Sequence, residues 1–100
     1  MKEQEKVAEF IQKHELDGTA EFRILDLVSE VGEVAKDATE SAGYGERPEK
    51  LDVKKDEIGD VFFSLLAVAE SLDIDAEEAL DEALEKYRSR ISEKGSPTSG

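Results

Sequence analysis

Apolar residues recur along this chain almost everywhere at helical rather than strand spacing, and that periodicity restricts it to an all-α fold. Four segments follow. The first, residues 3–15, sets Val7, Phe10, Ile11 and His14 on one face and stops at Asp17-Gly18. Thr19 can then cap a second helix, 20–42, whose stripe is Ile24, Leu27, Val28, Val31, Ala35 and Ala38. Gly43, Gly45 and Pro48 break it, so 43–52 reads as a loop. A third helix, 53–72, is apolar almost all round between Val61 and Ala69, as expected of a central helix or one in a subunit interface. Asp75 with Glu78 makes a capping-box-like start to a fourth helix, 76–92, with a stripe of Ala76, Ala79, Leu80, Ala83, Leu84, Tyr87 and Ile91. The expected architecture is a four-helix bundle-like protomer in one domain over 1–92. The polar tail 93–100 has nothing to bury and is expected to be disordered.

What such a bundle can do is bounded by its side chains. The chain has no cysteine and one histidine, His14, which removes thiol nucleophiles, Cys-based metal sites and multi-His sites. His14, near a helix end, reads as a boundary residue. With 26 Asp and Glu against 13 Lys and Arg, the net charge of −13 opposes direct binding to nucleic acid or to an anionic membrane. The longest apolar stretch, around Val61–Ala69, is about half a membrane span. No apolar signal segment follows Met1-Lys2-Glu3, so a cytoplasmic setting is expected. A chain of 100 residues, 38% apolar, buries only a modest core, and oligomerisation would help it.

The chemistry must therefore come from carboxylates. Nine acid-x-x-acid pairs occur where about seven would arise by chance, so spacing alone selects none of them. Context does: Glu30-Val31-Gly32-Glu33-Val34 and Glu57-Ile58-Gly59-Asp60-Val61 share the pattern acid, β-branched, Gly, acid, Val. A mid-helix Gly costs about 1 kcal/mol relative to Ala, which suggests that something approaches the backbone closely there. On the second helix Glu30 borders the apolar stripe, about 100° round, and Glu33 is nearly opposite it. Glu57 and Asp60 border the stripe of the third. If the two helices pack antiparallel, the four acids can converge, and clustered oxygen ligands without His or Cys select Mg²⁺ or Mn²⁺. The plainer alternative is two solvated helix faces in an acid-rich protein.

A divalent ion in such a cage usually serves phosphates, and phosphates call for cations. Lys86 and Arg90, at i and i+4 near the end of the fourth helix, lie along one border of its stripe, with Arg88 on the other side. Complementation of the helix dipole explains them equally well. Lys54 and Lys55, beside Glu57, are weaker candidates of the same sort. Phe22 and Arg23 at the start of the second helix and Tyr44 in the loop each offer a flat face on which a ring could stack, although a core place for Phe22 and an anchoring role for Tyr44 are the simpler readings.

Leu27-Val28-Ser29-Glu30-Val31-Gly32-Glu33-Val34-Ala35, followed by Asp56-Glu57-Ile58-Gly59-Asp60-Val61-Phe62, resembles the ExxE and ExxD halves of the MazG-like all-α nucleoside triphosphate pyrophosphatases. The 23 residues between Glu33 and Glu57 suit that family, and Glu85-Lys86-Tyr87-Arg88-Ser89-Arg90-Ile91 resembles the Lys-aromatic-x-x-Arg ending of its last helix. The resemblance spans about residues 20–91. It implies hydrolysis of a nucleoside triphosphate between the α and β phosphates, with Glu30, Glu33, Glu57 and Asp60 as Mg²⁺ ligands and one of them orienting water. Lys86 and Arg90 would hold the β and γ phosphates, in a homo-dimer or homo-tetramer. Relatives selective for pyrimidine deoxynucleotides carry Lys and Asn where this chain has Ala83 and Tyr87, so the likeness is to the MazG branch. Two other readings stand beside it: phosphoribosyl-ATP pyrophosphatase, and a non-enzymatic acidic helical interaction module.

Overall fold

The computed structural model describes residues 1–97, which form four helices: α1 (Lys2–Lys13), α2 (Ala20–Ser41), α3 (Lys55–Ser71) and α4 (Ala76–Lys94), with a 3-10 turn at Pro48–Lys50. The fold is all-α, and no strand occurs among the described residues. Two caps work as the sequence suggests. Thr19 Oγ1 accepts from the Phe22 amide at 3.4 Å, and Asp75 Oδ1 accepts from the amides of Glu77 and Glu78 at 2.9 and 3.1 Å. The fourth helix runs two residues past its expected end, to Lys94, because Gly95 supplies a left-handed closing residue with φ 74°. Of the tail expected to be disordered, residues 98–100 lie outside the described part.

α3 is the central helix, packed against α2 on one side and α1 on the other. Leu66 and Ala67 of α3 form the core with Val7 of α1, and Met1, Ile11, Phe63 and Ala76 pack around them. The Phe10 and Phe63 rings meet edge to face, centroids 5.8 Å apart. Buried Gln4 ties three elements together. Its Nε2 donates to Glu70 Oε2 at 3.0 Å and to the Ile74 carbonyl at 2.8 Å, while its Oε1 accepts from the Ala76 amide at 2.8 Å.

α2 and α3 form an antiparallel hairpin closed by Ser41, whose Oγ accepts from the Asp52 amide at 2.8 Å. Here the apolar stripe expected on α2 is corrected. Leu27 and Ala38 are partly buried, but Ile24, Val28, Val31 and Ala35 are exposed, Val28 by 63%. The more buried line instead runs through Leu27, Glu30, Val34, Asp37 and Ser41, at coiled-coil intervals of three and four. Three of its five members are polar, so hydrophobic periodicity alone passes it over.

α4 departs from the bundle. It meets the other helices mainly at its start, where Ala76 joins the core and Glu77 lies 3.9 Å from the Met1 amine. Its stripe of Leu80, Leu84, Tyr87 and Ile91 is 40–56% exposed. The radius of gyration, 16.6 Å, accordingly exceeds the roughly 13 Å of a compact 100-residue domain. Among the described residues, no helix is long and apolar enough to cross a membrane.

Candidate active site

The hairpin geometry decides which acids meet. Asp37 precedes the loop by about as many residues as Glu57 follows it, so antiparallel packing sets them across from one another. They line a cavity of about 350 Å³ with Glu40, Ser41, Asp52 and Lys54. Glu57 occupies the first turn of α3 and Lys54 caps that helix, which brings a cation to an otherwise acidic wall. Glu57 Oε2 is shut off from solvent and has no hydrogen-bond partner. The Glu57 carboxyl is pushed up from its ordinary 4.5 to about 7, chiefly by its interaction with the Asp37 side chain across the hairpin. Partial burial and the Asp37 charge add to the shift, whereas the Lys54 charge opposes it.

The four acids singled out by sequence are therefore not all on one cavity. Glu30 lies on the buried line of α2, one heptad before Asp37, and Glu33 is exposed on the same helix. Asp60, one turn beyond Glu57, opens into a different space, toward α1, beside Lys6, Val7, Phe10 and Phe63. Among the described residues, no group of three or more acids or histidines is gathered closely enough to hold a metal ion. Sequence reasoning missed Asp37 and Glu40. Their pair is one of the nine acid-x-x-acid spacings, and its register across the loop from Glu57 was the signal that could have singled it out.

The cations divide similarly. Lys54 joins Glu57, as its neighbourhood in sequence suggested. Lys86 and Arg90 do not reach the acids of α2 or α3 within the chain: Lys86 Nζ stands 5.3 Å over the Tyr87 ring, and Arg90 Nη1 donates to the Pro97 carbonyl at 3.3 Å. Arg88 pairs with Glu85 at 3.3 Å. The residues considered for base stacking are far apart, since Phe22 and Tyr44 stand at opposite ends of α2, about 30 Å along its axis. Phe22 is 63% exposed rather than in the core, Tyr44 is 76% exposed, and Arg23 is committed to the Leu16 carbonyl.

The two repeated glycines also need a corrected account. A Cβ at Gly32 or Gly59 would meet nothing within 4 Å, so no helix of this chain presses on either.

The molecule is thus an all-α protein with an acid-lined cavity between its two longest-packed helices. A family model described as the MazG nucleotide pyrophosphohydrolase domain matches residues 18–93, and the chain belongs to that family. It is also 42% identical over 72 residues to a Bacillus subtilis (strain 168) protein described as uncharacterized protein YpjD. That match covers 68% of this chain and 63% of the relative's length. No solved structure matches the chain significantly.

Proposed function

We propose that this chain is a metal-dependent nucleotide pyrophosphohydrolase, cleaving a nucleoside or deoxynucleoside triphosphate between the α and β phosphates to give the monophosphate and pyrophosphate. The observation that carries the proposal is the family match over 18–93, which contains both carboxylate repeats and the basic end of α4. The unpartnered Glu57 Oε2, in a wall built only of oxygen donors and Lys54, fits a hard divalent cation, Mg²⁺ or Mn²⁺. The resemblance assigns it to Glu30, Glu33, Glu57 and Asp60, of which Glu57 lies on this cavity in the single chain while Asp60 borders the space toward α1. When bound, such an ion neutralises charge developing on the leaving pyrophosphate.

The chain's own groups have separate tasks. Asp37 keeps a proton near Glu57 until the site is loaded, and one of the four family acids orients the attacking water. Lys54, Lys86 and Arg90 bind the β and γ phosphates. In this reading the α4 cations reach the acids through assembly, as a homo-dimer or homo-tetramer in which a second copy covers the exposed faces of α2 and α4. The support for this is that, among the described residues, five apolar residues are buried in one chain, while Val28, Leu80 and Ile91 are more than half exposed. A nucleotide-pool housekeeping role in the cytoplasm completes the proposal.

Pyrophosphate release from a panel of ribo- and deoxyribonucleoside triphosphates, with and without Mg²⁺, tests it. Turnover that depends on the metal and is lost in Glu33→Gln is expected. Absence of pyrophosphate from every substrate, with Glu33→Gln indistinguishable from the parent, would overturn the enzyme reading.

A further inference from the structure

A serine hydroxyl competes for backbone groups and suits the last turn of a helix poorly, yet α2 ends on one, Ser41. Its Oγ accepts from the Asp52 amide at 2.8 Å and, as a donor, faces the Ala38 and Asp52 carbonyls at 3.0 and 3.3 Å. Residues 42–51 otherwise bond within themselves: the Arg47 amide returns to the Ala42 carbonyl at 2.8 Å, and the Lys50 and Leu51 amides close the turn at Arg47 and Pro48. Among the described residues, the hydrogen bonds that tie the far end of this loop back to α2 are those of Ser41. We infer that Ser41 is a positioning residue, which holds Lys54 at the acid-lined cavity and so places the cation that meets the substrate's phosphates. The inference rests on the reading above for the role of Lys54, but that reading makes no use of Ser41.

Asp52 leads through Val53 into Lys54, which opens α3 in an extended conformation, φ −72° and ψ 146°. The Lys54 carbonyl accepts from the amides of Glu57 and Ile58 at 3.1 and 3.4 Å, so its backbone is held from the α3 side. Ser41 holds the same short segment from the α2 side. Ser41, Asp52 and Lys54 all line the cavity, together with Asp37, Glu40 and Glu57. A lysine is a point charge on a flexible stem, so its backbone decides what it can reach, and a charge-assisted bond to a phosphate oxygen needs about 2.7–2.9 Å. If the segment drifts, Lys54 retreats and the phosphates meet four carboxylates instead, those of Asp37, Glu40, Asp52 and Glu57.

The bonds from Ser41 to Asp52 are exposed, unlike the part-buried bonds by which Gln4 ties the core together. Water can replace them at little cost to folding, but a mobile water does not fix the distance between two segments of chain. Ser41 is thus placed to matter more to the site than to stability.

The test measures binding of inorganic triphosphate with Mg²⁺ by calorimetry, and turnover of whichever nucleoside triphosphate the chain cleaves. Ser41→Ala should weaken triphosphate binding and raise KM about five-fold, the scale of one lost hydrogen bond, with kcat and the melting temperature nearly unchanged. Ser41→Thr keeps the hydroxyl and should behave as the parent. In a Lys54→Ala chain, Ser41→Ala should cost nothing further, because the residue acts through Lys54. A Ser41→Ala chain that binds triphosphate as the parent does, a loss that adds in full to that of Lys54→Ala, or a loss that Ser41→Thr does not restore would each overturn the role. An unfolded Ser41→Ala chain would overturn it too, by making the residue structural. Binding and turnover are scored separately. Turnover in the parent with Ser41→Ala unaffected refutes the positioning role alone. Triphosphate binding without pyrophosphate release from any substrate refutes the enzyme reading alone, and Kd then decides on Ser41. A parent chain that neither binds nor cleaves refutes both.

Discussion

Asp37 and Glu57 face each other across the α2–α3 hairpin, and their contact lifts the Glu57 carboxyl to about 7. The folded chain therefore keeps a proton that the unfolded chain releases near 4.5. Between these values the native state binds more protons than the unfolded state, so this pair makes stability fall as pH rises from about 4.5 to about 7. Its stabilising effect is complete below that window and lost above it. General repulsion among 26 acids slopes the same way, and Asp37→Asn separates the two. That variant removes the Asp37 charge and weakens its interaction with Glu57, which should bring Glu57 down toward its ordinary value and flatten the slope. Urea midpoints measured from pH 4.5 to 7.5 in both proteins check this; parallel curves would show that the pair is not the cause.

The same proton competes with metal. A divalent ion at Glu57 requires the carboxylate, so Mg²⁺ should raise the melting temperature more at pH 8 than at pH 6, at matched ionic strength. At a hundred-fold excess over Kd the gain should be about 2.7 kcal/mol. Glu57→Ala and Asp60→Ala should each abolish it. A gain that survives both substitutions would place the ion elsewhere.

Gln4 gives a stability prediction free of any functional reading. Its amide accepts from Ala76, donates to Ile74 and Glu70, and so fixes α1 to the turn from which α4 leaves. Gln4→Ala strands buried polar groups and should cost about 2 kcal/mol, read as a lower urea midpoint at unchanged slope. A change within a few tenths of a kcal/mol would mean that water replaces the amide there.

These residues show what the sequence could and could not disclose. Helix number and ends were legible because caps and breakers are local: Thr19, Asp75, Gly43 and Pro48 act on their immediate neighbours. The face on which α2 packs was not. Ile24, Val28 and Val31 form its strongest apolar stripe, yet within the chain α2 packs on the line through Glu30 and Asp37. Periodicity finds surfaces that avoid water without saying what covers them. Glu57 was legible through its repeated motif, whereas Asp37, which sets its proton affinity, became visible only once the hairpin register was fixed. The cations of α4 were readable as a pair, but their distance from the acids depends on where α4 docks, and its free stripe leaves that outside a single chain.

The docking of α4 can be tested by asking whether one active site draws on two copies. Leu84→Glu places a charge in the exposed stripe and should shift sedimentation from an oligomer to a monomer; a wild-type chain that is already monomeric at micromolar concentration would rule out the assembly reading. If the oligomer holds, Glu57→Gln and Arg90→Ala should each be inactive alone. Suppose that acids from one copy meet cations from the other. A heterodimer of the two variants then contains one intact site, formed by the acids of the Arg90→Ala chain and the cations of the Glu57→Gln chain. Random exchange makes half of the dimers mixed, so about a quarter of wild-type activity should return on mixing. If each site is built within one chain, every site in the mixture lacks Glu57 or Arg90 and no activity returns. Recovery after subunit exchange therefore reads out directly whether α4 serves its own acids or those of a partner.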